Sequence, residues 1–170
     1  MLLKAGGGGS DFKTLTTGTY NGMCVDPNYP IMKQYGTDKP KSTVMFVFEV
    51  DKKRIKQDGT EDNANYLVFS KNLTLTLAPK GHLAPFLGSW LGKQIKDGDE
   101  INLEDFVGKP AKLMITEEPK KNGNGTYAQI VKVLPSDETF ETNPDFERKD
   151  PSTYSDVIVR EEKESSKAPF

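Results

Sequence analysis

The order in which residue periodicity changes along the chain constrains its fold more than any other feature: three runs of strand-like alternation, one run at helical spacing, then two more strand-like runs. From Thr43 to Asp51, Val44, Phe46, Phe48 and Val50 fall on one side, while Met45, Val47 and Glu49 fall on the other. This is a strand with one fully buried face. From Asn65 to Ala78, Leu67, Phe69, Leu73, Leu75 and Leu77 share one parity and Tyr66, Ser70, Asn72, Thr74 and Thr76 the other, so the second set is expected to face outward. Gly18 to Val25 is a shorter run. Ala111 to Glu117 and Thr126 to Leu134 flank a turn from Pro119 to Gly125, rich in Lys, Asn and Gly, and read as a hairpin.

Between Pro79 and Asp97, Leu83, Phe86, Leu87, Trp90 and Leu91 follow the spacing of a single helical stripe. Pro85 is tolerated only in a first turn, which starts the helix close to His82 or Leu83. On helix propensity, Gly88 and Gly92 each cost about 1 kcal/mol relative to Ala. The helix therefore needs an apolar partner, which the open bottom of a small barrel supplies. The whole order is the outline of an OB-fold, a mainly β, five-stranded Greek-key barrel, here with one helix between strands 3 and 4. Barrels of this kind hold oligonucleotides or oligosaccharides on a curved face and its loops.

Composition fits one domain with tails: a flexible Gly-rich leader over 1–11, the barrel over 12–135, and an acidic, largely extended tail over 136–170. The net charge of −2 hides a split. Residues 1–135 hold 18 Lys/Arg against 15 Asp/Glu, a balance of +3, whereas 136–170 hold 5 against 10, a balance of −5. A single Cys, Cys24, rules out an internal disulfide and reads as a small buried strand residue, and a single His, His82, removes the usual zinc ligand sets. No metal or other cofactor is expected. Gly6 to Ser10 lacks the Gly-Lys-Ser/Thr ending of a phosphate-binding loop. No apolar run is long enough to span a membrane, and the first five residues are too short for the core of a signal peptide, so the expectation is a soluble cytoplasmic protein.

Positive charge gathers in three segments that also carry aromatics. Lys33, Lys39 and Lys41, with Tyr29 and Tyr35, lie in the connection between the first two strands; Lys52, Lys53, Arg54 and Lys56 leave the second; Lys120 and Lys121 cap the last hairpin, followed by Tyr127. In an OB-fold the connection after the first strand and the one between the last two strands flank the binding face, so the three segments are expected to line one groove. Lys and Arg track phosphates while Tyr or Phe offers a stacking surface indifferent to base identity, so the pairing points to single-stranded nucleic acid. Tyr66, by its outward parity, joins Tyr35 and Tyr127 as a stacking candidate. Each cluster alone reads as a solvated loop; the argument rests on their coincidence.

Thr16-Thr17-Gly18-Thr19-Tyr20, Phe46-Val47-Phe48-Glu49-Val50, Leu67-Val68-Phe69, the helix Leu83 to Leu91, Phe106-Val107-Gly108-Lys109-Pro110-Ala111 and Val131-Lys132-Val133-Leu134-Pro135 together resemble the small OB-fold proteins of phage replication and recombination that bind single-stranded DNA. The resemblance spans roughly residues 12–136 and rests on apolar residues and glycines, with no catalytic signature. It implies a viral protein that coats exposed single strands in the host cytoplasm. The ending Pro169-Phe170 is similar to the tips of single-strand-binding proteins that dock on a polymerase, helicase or primase, although Lys163 and Lys167 interrupt the acids before it.

An enzyme is the weaker reading. Asp97, Asp99, Glu100, Glu104 and Asp105 cluster after the helix, but they read as turns and lack the spacing of a calcium-binding loop. The competing function is a barrel that binds a replication partner or forms part of a virion, without affinity for nucleic acid. A homo-oligomer is compatible with either reading.

Overall fold

One strand is the spine of the fold because every second side chain through its middle, from Val44 to Val50, is bulky and apolar. In the computed structural model, which describes residues 11–28, 31–33, 40–78, 81–96 and 98–148 (backbone only at 28, 31–33 and 40–42), this strand is β3, Pro40–Ile55. It pairs antiparallel with β1 (Gly18–Asn28), β2 (Ile31–Lys33), β4 (Glu61–Phe69) and β5 (Leu73–Thr74). On the far side of β1 lies β6 (Pro110–Pro119), and beyond it β7 (Thr126–Pro135). The fold is thus mainly β, an antiparallel open sheet with one α-helix among the described residues, α1 (Leu83–Leu91). β4 and β7 come close to each other, but no hydrogen-bonded ladder joins them among the described residues.

Val44, Phe46, Phe48 and Val50 are fully buried, as their alternation predicts. Each such side chain contributes on the order of 1.5–3 kcal/mol through burial alone. The expected hairpin is present too, running in register from Ala111 opposite Pro135 to Pro119 opposite Thr126, with one irregularity near Met114.

The third alternating run is where the expectation fails. The chain leaves the sheet after Phe69 and returns as β5 at Leu73, and Ser70 holds the junction: its hydroxyl accepts from the Phe46 N–H at 2.9 Å and donates to the Lys71 carbonyl at 2.8 Å. The interruption shifts the phase. Tyr66, Val68 and Ser70 point inward, whereas Leu67 and Phe69 are 39% and 50% exposed; Leu73, past the break, is buried as expected. Tyr66 is therefore a core residue and not an outward-facing one.

Helix α1 begins where Pro85 requires and buries Leu83, Ala84, Leu87 and Trp90. Trp90 is its anchor. The indole meets Phe46, Phe48 and Phe106 with ring centroids 4.8–5.6 Å apart, and its N–H donates to the Pro110 carbonyl at 2.9 Å. Ser89 ties the same helix to β7 through the Val133 carbonyl at 2.6 Å. Neither helix glycine is a simple weakness, which corrects the propensity argument. Gly92 is the C-terminal cap at φ 73°, in the left-handed region where a side chain is strained, and a Cβ at Gly88 would lie 2.8 Å from the Lys93 carbonyl oxygen. Gly92→Ala is expected to lower unfolding free energy by about 1 kcal/mol or somewhat more, read from a urea melt; an unchanged midpoint would refute the cap assignment.

The stretch 136–148, assigned to the tail by composition, packs back over the sheet. Asn21 donates to Glu138 at 2.6 Å, the Phe140 N–H meets the Met23 sulfur at 3.4 Å, and the Asn143 N–H donates to Glu49 at 2.9 Å. Arg148 then grips buried Asp26 through Nε at 3.1 Å and Glu104 through both terminal nitrogens at 2.8 and 2.9 Å. These contacts account for a carboxylate, Glu49, that is only 2% exposed on the outer face of β3: Asn65 and Asn143 donate to its two oxygens. This strap holds five of the tail's acids, all exposed, and one of its bases, so a balance of −4 out of the tail's −5 is carried beside the sheet.

Candidate nucleic-acid interface

Because β4 turns Leu67 and Phe69 outward and no ladder closes the gap to β7, the seam between these strands forms a groove of about 510 Å³. Five parts of the chain line it, β3 among them through Glu49 and Arg54. β4 supplies Leu67 and Phe69; the segment before β1 supplies Phe12 and Lys13; the β6–β7 hairpin supplies Lys120 and Tyr127; the strap supplies Asn143 and Phe146. An adjoining hollow of about 400 Å³ shares Phe12, Lys13, Thr14, Lys120 and Thr126 with it, giving a track of two neighbouring hollows.

Local chemistry fixes each wall. The Tyr66 hydroxyl, pointing in from β4, donates to the Lys13 carbonyl at 2.7 Å and accepts from the Ile55 N–H at 3.1 Å. Lys13 in turn donates its N–H to the Ile55 carbonyl at 2.7 Å, and the Gln57 amide donates to the Phe12 carbonyl at 3.0 Å. Across the seam, the Thr14 hydroxyl donates to the Thr126 carbonyl at 3.2 Å. Residues 12–14 thereby bridge the two sides of the sheet that the ladder leaves apart.

Arg54 lies over the Phe12 ring, 3.9 Å from its centroid, and sends Nε and Nη2 to one oxygen of Asp62 at 3.0 and 2.6 Å. These hydrogen bonds hold the Asp62 carboxyl below the usual carboxylate range. Arg54 therefore spends part of its charge on Asp62 and positions the Phe12 ring. Lys13 and Lys120, both exposed at the groove, carry the cationic character. Tyr127, 45% exposed, keeps its hydroxyl near Gln129 at 3.4 Å and leaves its ring at the groove.

Of the residues singled out from the sequence, the structure brings Arg54, Tyr66, Lys120 and Tyr127 to one groove. Tyr66 lies beneath it, 8% exposed with its hydroxyl committed to backbone partners, so its ring is no platform for a base. Lys52 and Lys53 are exposed on β3 outside the lining, with Lys53 donating to the Asn63 carbonyl at 3.0 Å, and Lys121 is exposed in the turn beside Lys120. Lys33 and Lys41 fall in the β2–β3 hairpin, opposite Pro40 and Met32. Tyr35, Lys39, Pro169 and Phe170 lie outside the described residues. Phe12, Lys13, Leu67, Phe69 and Phe146 were missed. Nothing in the alternation marked Phe69, whose parity runs on unbroken through Ser70, whereas the Asn143-Pro144-Asp145 turn carried a signal for Phe146.

Elsewhere the molecule offers less chemistry. Cys24 is fully buried and burial pushes its thiol up to about 12, so it stays protonated at neutral pH. Of the acids after α1, Asp97 lies outside the described residues, Asp99 accepts from the Lys96 N–H at 2.7 Å and Glu104 pairs with Arg148, while Asn102 caps the 3-10 turn Leu103–Phe106 through the Glu104 N–H at 3.0 Å. Among the described residues no group of His, Cys, Asp or Glu has the arrangement of a metal site, and no helix is long and apolar enough to cross a membrane. Comparison with protein-family models and with curated proteins returns no match.

Proposed function

We propose that the protein binds single-stranded DNA without regard to sequence, through the groove at the β4–β7 seam, and that its five long strands form an OB-fold. The fold part of the reading is supported by the pairing pattern: β1 lies between β3 and β6, β4 follows β3, β7 follows β6, and α1 falls between the third and fourth of the long strands. The observation that carries the function is the groove's mixture of exposed rings and unhindered lysines. Phe69 and Tyr127 are each about half exposed on the open edge of a β-structure, where burying them against a base recovers apolar area, while Lys13 and Lys120 stand in reach of phosphates. No base-edge reader is needed for such binding. The role that follows is to coat exposed strands during replication or recombination, as in the phage proteins that the sequence resembles, with docking of replication proteins through Pro169-Phe170.

A salt titration tests the reading. Each phosphate contact to a single strand adds about 0.7 to the downward slope of log affinity against log salt. The Lys13→Ala, Lys120→Ala double variant is expected to lose about 1.4 from that slope, to weaken binding at low salt, and to show the same weakening for every base composition. A wild-type chain that fails to shift labelled oligo-dT in low-salt buffer refutes the proposal. That result would favour the second reading, a protein-interaction module, which the ladder-free edges of β4 and β7 support because an added peptide strand can pair there.

A further inference from the structure

We propose that Phe146 is a third stacking platform of the groove and that residues 143–148 are a built arm of the binding site; this rests on the single-strand reading above. The arm is anchored at both ends. Asn143-Pro144-Asp145 forms a tight turn in which the Asn143 side chain accepts from the Asp145 N–H at 2.9 Å and the Asn143 carbonyl accepts from the Phe146 N–H at 3.2 Å. The same Asn143 gives its own N–H to buried Glu49, and two residues beyond Phe146 the Arg148 guanidinium closes on Asp26 and Glu104. Between these anchors Phe146 has little freedom. It is delivered to the groove that Phe69 and Tyr127 also line, and it takes no part in the apolar core of the barrel.

A half-buried ring held by charged anchors at the rim of a groove is costly to order unless something covers its other face. Its neighbours say what that is. Asp145 and Glu147 flank it and are exposed, so a phosphate is repelled there, whereas an uncharged base face is accepted. Lys13 and Lys120, on other walls of the track, take the backbone. The arm therefore sets which side of a bound strand carries bases and which carries phosphates, and Arg148 acts as a positioning residue that holds the arm in place.

The test compares the full chain with Phe146→Ala, Phe146→Leu and Phe146→Tyr, using labelled oligo-dT anisotropy alongside a thermal melt. Leucine restores packing bulk without an aromatic face. Phe146→Ala and Phe146→Leu are both expected to weaken binding by about 5- to 150-fold, the range of one lost base stack, and Phe146→Tyr to stay near wild type. Arg148→Ala, which frees the arm while leaving the ring, is expected to weaken binding by a smaller factor. Wild-type affinity in Phe146→Leu, or in Phe146→Ala, overturns the inference while leaving the groove reading intact. A wild-type chain that binds no oligonucleotide overturns both.

Discussion

The Phe69→Ala, Tyr127→Ala double variant is expected to bind oligo-dT between about 30-fold and about 20,000-fold more weakly than wild type. Each base stack is worth roughly 1–3 kcal/mol and the two rings occupy separate strands, so their losses add to a first approximation. Stability should change little, since both rings are about half exposed and the backbone pairing of Phe69 with Val47 does not need the ring. The combination of lost affinity and retained melting temperature is the signature. An unaltered affinity in a folded double variant would remove the seam from the binding site.

Trp90→Ala is expected to lower unfolding free energy by about 3–5 kcal/mol, the usual range for deleting a buried aromatic. The indole touches Phe46, Phe48 and Phe106 and donates to the Pro110 carbonyl, so its removal leaves a cavity between α1 and the sheet and an acceptor without that donor. For a domain of this size such a loss is a large share of total stability. Chemical denaturation reads it directly. A loss below about 1 kcal/mol would mean that α1 is not anchored through this residue.

The sequence made the packing legible where burial alone decides it. Val44, Phe46, Phe48 and Val50, the stripe on α1, and the hairpin with its Lys120-to-Gly125 turn all sit where periodicity and turn chemistry place them. The groove was harder to see for a physical reason. Leu67 and Phe69 continue the parity of Leu73, and only a break at Ser70, made by side-chain bonding to Phe46, puts them on the opposite face. Parity carries across a strand, not across an interruption that the pattern does not mark. Arg54 was found as a charge but its partners, Asp62 and the Phe12 ring, depend on a pairing between distant segments. The strap was hidden by composition. An acidic stretch poor in aliphatics reads as extended, yet here it is held by polar contacts to Asn21, Glu49, Asp26 and Glu104, which leave no periodic trace.

The groove takes Phe12 from one end of the described chain and Phe146 from the other, with Tyr127 between them. No shorter piece of the chain contains all its walls. During synthesis the β3 spine and its neighbours can form long before residue 146 leaves the ribosome, so the groove is completed late, and its closure depends on contacts of very long sequence separation. A chain that ends before residue 146 thus lacks one wall of the groove, and any binding that uses this groove requires synthesis at least that far.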